Sequence, residues 1–366
     1  MENLKLINSD LAGSCQEFAW LILVICLGST SRWGIFSSLP ASVTGQSFAV
    51  FLLNADGTVY GRFGTRSHRT NWVGDVSIDG MAKSLQGALD LHVDFAKVKE
   101  SLAAKRGPAP EFPTPEKFPF LTAKYTSKID FKAASVGQGC IHCHQIGDAR
   151  KAFYRQKGEP MPEHVLFPYP HPKSLGLILD PKERATVTEV VKGSPAEAAG
   201  FRDGDVIRTL NGQPILSIAD VQWVLHNTPG SGGVVTAAVQ RGSTTETITL
   251  ALPAGWRRRD DIAWRSSTWG LRRMATGGLV FEPAPEGAAP TPTLRIQRVG
   301  SFGAHAAGQR AGFKQGDVIL SWDGKTFARE VDLIVHGVTE RKPSDIIPVT
   351  VLRGGTKLNL KLPMQE

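Results

Sequence analysis

The chain has 366 residues, room for two or three domains, and 41% of them are hydrophobic, which excludes global disorder. Its formal charge of +8 is modest for that length and does not by itself point to nucleic acid. The four cysteines, Cys15, Cys26, Cys140 and Cys143, are too few and too unevenly placed for a disulfide-stapled scaffold.

Residues 1–45 read as a signal or anchor segment, or as a wrongly assigned start. Phe18 to Leu27 (FAWLILVICL) is shorter than a bilayer span but has the length of a signal-peptide apolar region, and small residues follow it. The flank is wrong for that role, because Glu2, Asp10 and Glu17 outnumber Lys5; a buried strand is the alternative. Cys26 is a poor lipidation site, with Ile25 before it where a small residue is expected.

Residues 46–104 form the next unit. The stretch FAVFLLNADGTVYGRFG (48–64) predicts a hairpin turning at Asn54–Gly57. Ser77 then caps a helix with Met81, Leu85, Ala88, Leu89 and His92 on one stripe. Hairpin followed by helix resembles the C-terminal half of a thioredoxin-like domain. Residues 1–47 hold no Cys-x-x-Cys, so the resemblance implies a partial fold without thiol redox chemistry. Lys105 to Pro119 (KRGPAPEFPTPEKFP) predicts a semi-extended proline-rich linker.

The segment 120–173 contains GCIHCH (139–144). Cys140, Cys143 and His144 form a Cys-x-x-Cys-His unit, which resembles the attachment site of c-type cytochromes. That resemblance implies thioethers from Cys140 and Cys143 to a haem c, with His144 as proximal iron ligand. Met161 would be the distal ligand, with His171 and His164 as alternatives. Zinc, a Cys140–Cys143 disulfide and a motif with no ligand compete with haem; no second ligand pair completes a zinc tetrahedron. Covalent haem would imply export to the periplasm, redox partners, and membrane anchoring if residues 18–27 are retained.

The rest of the chain contains an internal repeat. AGFRDGDVIRTLNG (199–212) recurs as AGFKQGDVILSWDG (311–324), an offset of 112 residues that persists at VQRG (239–242) and VLRG (351–354). The copies span 174–253 and 276–366. Each predicts short strands, a helix stopped by glycine (Ala196–Ala199, then Gly200), tight turns at Asn211-Gly212 and Asp323-Gly324, and a second helix, Ile218 to Leu225 behind the cap Ser217. This pattern resembles the strand-permuted PDZ domains of bacterial proteases. The resemblance implies that an extended peptide or protein C-terminus adds to an edge strand while backbone N–H groups of a glycine-containing loop hold its carboxylate. The candidate residues are Leu175, Gly176 and Leu177, lined by Val221, Val224 and Leu225, and in the second copy Gly277, Gly278 and Leu279.

Between the copies, 254–275 carries six arginines and three tryptophans within WRRRDDIAWRSSTWGLRRM. It reads as a connector whose tryptophans pack on the repeats, because no nucleic-acid fold accompanies it. PGSGG (229–233) is a near miss to a trypsin-like nucleophile string, but Ser231 lies in a loop of the repeat with no room for a protease domain around it, so no catalytic residue is assigned.

The expected fold class is α+β multidomain: a partial thioredoxin-like α/β unit, a short haem segment and two PDZ-like β-rich domains. The expected function is an exported haem c protein for electron transfer or redox sensing, with peptide-binding modules. The alternative is a cofactor-free PDZ scaffold or regulatory protein related to protease-associated PDZ proteins.

Overall fold

In the computed structural model, which describes residues 21–26, 49–67, 74–122, 143–265, 268–283 and 293–366, helices alternate with antiparallel sheets. The first sheet joins β1 (Leu21–Cys26), β2 (Ala49–Asn54) and β3 (Val59–Phe63) in that order. The apolar run expected as a signal or anchor thus supplies a strand. No helix among the described residues is long and apolar enough to cross a membrane, and Cys15 lies outside them.

The hairpin turn falls where its residues require. Gly57 takes φ 80°, its N–H donates to the Asn54 carbonyl at 2.9 Å, and the Asn54 amide donates to Asp56 at 3.0 Å. Helix α1 (Ile78–Val93) starts behind Ser77, whose Oγ accepts the Gly80 N–H at 2.9 Å. Helix α2 (Phe95–Leu102) follows. Val50, Leu52, Tyr60, Phe63, Ala88 and Leu102 form the core of this unit, together with Leu216 from the first repeat. Its packing therefore depends on a residue more than a hundred positions downstream.

The proline-rich segment is not a free linker. Lys105 is buried, and Phe118 and Leu121 pack with Ala149 against Phe112 and Ile146. Glu111 accepts from Arg150 Nε at 3.0 Å. Two phenylalanines between the prolines outweigh the tendency of such a stretch to stay solvated. Ala149 and Arg150 lie on α3 (Cys143–Lys157).

In the first repeat, β4 (Leu177–Leu179) pairs with β5 (Val187–Val190). Helix α4 (Pro195–Ala199) stops at Gly200, φ 92°. A four-stranded sheet follows in the order β7 (Gln213–Pro214), β6 (Val206–Leu210), β8 (Gly233–Arg241), β9 (Thr244–Leu252), with helix α5 (Ile218–Asn227) between β7 and β8. The bridge Thr186–Val206 links the two sheets. Asn211 and Gly212 both take positive φ, 47° and 74°, as a two-residue hairpin loop requires.

Helix α6 (Thr268–Thr276) leads into the second repeat: β10 (Leu279–Phe281), β11 (Leu294–Val299), helix α7 (Ala307–Arg310), β12 (Val318–Trp322), helix α8 (Glu330–Thr339), β13 (Ile346–Arg353) and β14 (Thr356–Pro363). Here the strands form one sheet in chain order. The two copies have separate cores, one around Leu210, Val235 and Trp256, the other around Ile296, Trp322 and Val351.

Segment 254–275 ties the copies together. Trp256 enters the first core and its indole N–H donates to the Pro229 carbonyl at 2.8 Å. The buried Arg257 guanidinium donates to the carbonyls of Phe167 (3.1 Å) and Thr228 (2.6 Å), and to that of His226, at the C-terminal end of α5. Leu271, Met274 and Ala275 of α6 pack on Ile334, Val335 and Val338 of α8.

Candidate peptide-binding site

In each repeat, left-handed glycine precedes a three-residue edge strand. Gly176 (φ 83°) leads into β4; Gly277 (65°) and Gly278 (89°) lead into β10. Among the described residues β4 has β5 as its only strand neighbour and β10 ends the five-stranded sheet, so each has one edge with no strand partner among them. The constructions match in detail: the Val191 N–H donates to the Gly176 carbonyl at 2.9 Å, and the Gly300 N–H to the Gly278 carbonyl at 3.0 Å. Only glycine fits. A Cβ on Gly176 would lie 2.2 Å from that of Ser194, and one on Gly278 would lie 2.0 Å from the His305 carbonyl oxygen.

The structure brings the expected lining residues together, but as core. Leu175, Leu177, Val221, Val224 and Leu225 are all buried in the first cluster, and Leu279 in the second. Several loop N–H groups are also engaged. Ser174 donates to the His171 carbonyl (2.9 Å) and Gly176 to that of Lys173 (3.0 Å). Gly277 and Gly278 donate to the carbonyls of Arg273 (3.2 Å) and Arg272 (3.1 Å), closing the C-terminus of α6.

A charged seam lines the other face of α5. Asp220 lies 3.0 Å from Lys105 Nζ and 3.7 Å from Arg62 Nη1, with all three side chains buried. Its carboxylate also accepts the N–H groups of Leu216 (3.0 Å) and Arg62 (3.2 Å). Burial pushes the Lys105 ammonium down to about 8 and the Arg62 guanidinium down to about 10. The Arg62 guanidinium stacks 4.0 Å over the Trp223 ring, whose N–H donates to the Ala104 carbonyl at 2.9 Å. Beside this seam, Asp75 accepts from Lys173 Nζ (2.7 Å) and the Ser67 N–H (2.7 Å). Burial works to raise the Asp75 carboxyl, but its neighbours His171, Lys173 and Ser67 outweigh it and hold it below its ordinary value.

Sequence reasoning missed a clamp present in both copies. Arg241 donates to Asp205 twice, each bond 2.8 Å, and also to the Gly200 carbonyl at 3.0 Å. Arg353 repeats this with Asp317, 2.7 Å twice, and the Gly312 carbonyl at 2.8 Å. The signal was there, since the aspartate of each GDVI and the arginine of each VQRG or VLRG recur at the same offset.

The haem reading does not stand. Cys140 lies outside the described residues, while Cys143 and His144 open α3. Met161 is buried among Val165, Phe167, Leu271 and Met274. His164 meets the His226 ring edge-on, centroids 6.1 Å apart. His171 is enclosed, its Nε2 3.6 Å from Asp75, and its Nδ1 accepts the Lys173 N–H at 3.3 Å. Among the described residues no group of three or more His, Cys, Asp or Glu could hold a metal ion. Met161 and His164 are thus held in packing, and His171 is enclosed beside Asp75 with its Nδ1 engaged by the Lys173 N–H. Ser231 is exposed in the turn between α5 and β8.

Buried His171 gives a pH test. Burial pushes its pKa down to about 3, so the folded chain leaves it neutral while the unfolded chain protonates it near 6.5. The unfolded state then binds more protons between those values, and stability falls as pH drops below 6.5. From pH 7 to 5 the loss is about 2 kcal/mol for one such histidine. Asp148 and Asp260, raised by burial to about 6, act in the opposite sense. The difference between wild type and His171→Gln in urea unfolding isolates the histidine, and equal pH slopes for the two proteins would refute the assignment.

The PDZ domain family matches residues 186–232. A probable periplasmic serine protease do/HhoA-like of Haemophilus influenzae is 26% identical over 179 residues, 49% of this chain and 35% of its own length. A probable periplasmic serine endoprotease DegP-like of Marinomonas is 27% identical over 48% of this chain and 36% of its own length. The metalloprotease MmpA of Caulobacter vibrioides is 34% identical over 31% of this chain and 28% of its own length. The chain therefore spans about a third of the length of the first two relatives. A solved HtrA-type protease AlgW with decapeptide aligns over 36% of this chain and 41% of its own, at 21% identity and a TM-score of 0.23, too slight to build on. These similarities are to proteases, and with the occupied distal candidates they overturn haem c as cofactor and electron transfer as function. The chain carries a PDZ domain, set in a mixed α and β protein that is similar over about half its length to serine endoproteases.

Proposed function

We propose that the chain is a cofactor-free peptide-binding scaffold with two PDZ-type modules, acting outside the cytoplasm beside or as part of a proteolytic system. The observation that carries this reading is the repeated edge strand behind left-handed glycine, Gly176 with β4 and Gly278 with β10. β-strand addition needs such an edge. The relatives support it, because serine proteases and a metalloprotease match the same chain although their catalytic chemistries differ. What they share with this chain is then a recognition module, and periplasmic appears in the names of the first two.

A display library of decapeptides with free C-termini, selected on the full chain, tests the proposal. Peptides that lose binding on C-terminal amidation, and that bind a Cys140→Ala/Cys143→Ala variant unchanged, are the expected result. Failure to enrich any sequence would count against it.

A further inference from the structure

On the peptide-binding reading, the cleft of each repeat runs between its edge strand and the helix that follows the tight turn: β4 and α5 in the first, β10 and α8 in the second. Its far end, where the body of a peptide would enter, is bounded by the residues just past the edge strand and by the start of the helix. In the first repeat both boundaries are held by one helix from upstream. Ser77 Oγ donates to the Pro181 carbonyl at 2.7 Å, on the strand side. Ser84 Oγ donates to the Leu216 carbonyl at 2.7 Å, on the helix side. Ser77, Gly80, Ser84 and Gly87 recur at three- and four-residue steps and so share one face of α1. That face is seated closely. A Cβ on Gly80 would fall 2.1 Å from the Pro181 carbonyl oxygen, and one on Gly87 would fall 2.8 Å from Leu216 Cδ2 and 2.9 Å from Arg184 Cζ.

The neighbouring strand closes the same end. The Ser217 hydroxyl donates to the Arg62 carbonyl at 2.5 Å, and Thr65 Oγ1 donates to Gln222 Oε1 at 2.5 Å. On the rim, Lys83 pairs with Glu183, and Arg184 pairs with Asp90 at 2.8 Å. The second repeat differs on its strand side, while the start of α8 is held by Arg272 of α6, which donates twice to Glu330 at 2.7 Å. Pro283, two residues past its edge strand as Pro181 is past the first, is exposed. Asp332, at the place of Asp220, keeps a third of its side-chain surface and pairs at 2.7 Å with Arg329, which precedes its own helix.

We infer that the small-residue face of α1 is a plug seated in cis across the mouth of the first module's cleft, so that in the resting chain the second module is the one that accepts peptide. This deepens the peptide-binding reading and rests on it. Unseating α1 would add the first module as a second binding site, making the upstream unit a regulator of valency.

Hydrogen–deuterium exchange on the full chain tests the plug without any peptide. In Gly80→Ala/Gly87→Ala, alanine favours the helix itself, so any loosening reports lost docking. The expected result is exchange at least about tenfold faster at Leu177–Leu179, with Leu279–Phe281 unchanged. Unchanged exchange at Leu177–Leu179 overturns the plug. Should the double variant fail to fold, Lys83→Glu/Asp90→Arg replaces it. That variant repels Glu183 and Arg184 at the exposed rim, and adding Glu183→Lys/Arg184→Asp should restore protection; no change with the first pair overturns the plug as well. A second arm uses the free-carboxylate decapeptide pool carrying a photoreactive group. Cross-links in the second module alone for wild type, and in both modules for the unseated variant, support the inference. Cross-links in the first module of the wild type overturn it. A pool that cross-links nowhere removes the peptide-binding reading, and the exchange result alone then decides whether α1 seals the cleft.

Discussion

Replacing Asp220 with alanine is expected to cost about 3–5 kcal/mol, because it strands two buried cations. Lys105 and Arg62 both face this carboxylate in a region closed to solvent, and two backbone N–H groups also lose their acceptor. The loss is a large share of the roughly 5–15 kcal/mol that holds a typical domain together. Asp220→Asn should do nearly as much harm, since it removes the charge and keeps only one acceptor oxygen. A different change should be far milder: Arg62→Met/Lys105→Met/Asp220→Leu replaces the whole cluster with apolar groups and leaves no orphaned charge. Chemical denaturation of the three proteins, followed by tryptophan fluorescence, checks the order. Trp223 lies under Arg62 and will report it directly. If Asp220→Ala is no worse than the triple variant, the cluster is not the electrostatic tie between the upstream unit and α5.

The second large effect is expected at the repeated clamp. Removing Asp205 or Asp317 should cost about 2–3 kcal/mol each, less than Asp220, because the arginine partner keeps contact with water. The Arg241 and Arg353 side chains are 20% and 29% exposed, while both aspartates are fully buried. Each aspartate also accepts the N–H three residues before it, Arg202 at 2.9 Å and Lys314 at 2.9 Å. Burial works to raise both carboxyls, but the arginine and backbone hydrogen bonds outweigh it and hold them below their ordinary value. Stability from these groups is therefore present above the unfolded carboxyl pKa and is lost as pH falls through the folded one. Asp205→Ala should loosen amides of the first core and leave the second unchanged, and Asp317→Ala the reverse. Exchange measured on the full chain separates the two cases, and a uniform loss across both cores would contradict the separation of the clusters.

Much of the repeat was legible because its turns are chemically specific. Asn211-Gly212 and Asp323-Gly324 occupy left-handed conformations that few other pairs tolerate, and Ser77 and Ser217 cap the helices they were expected to cap. The proline-rich stretch was misread because composition weighs prolines evenly and does not reveal that Phe112 and Phe118 have an apolar partner on α3. The cleft residues were ambiguous for a related reason. Val221, Val224 and Leu225 recur at helical spacing, and spacing alone does not distinguish a face turned to a ligand from one turned to the core.

GCIHCH shows the same limit from the side of chemistry. Its cysteine and histidine spacing satisfies a haem-attachment rule, but spacing does not show what surrounds the motif: Met161 and His164 are held in packing and His171 is enclosed beside Asp75. The sequence by itself determined what local chemistry can determine: the repeat, its turns and caps, and the glycines that lead into each edge strand. Only the tertiary structure decided which groups from distant segments share a buried space. Asp220 with Lys105 and Arg62, the plug of α1 on Pro181 and Leu216, and the Arg–Asp clamps all join residues separated by tens to more than a hundred positions. Apart from the clamps, whose residues recur with the repeat, such pairings leave no trace in the sequence pattern, because charge pairing and burial depend on where chains meet in space.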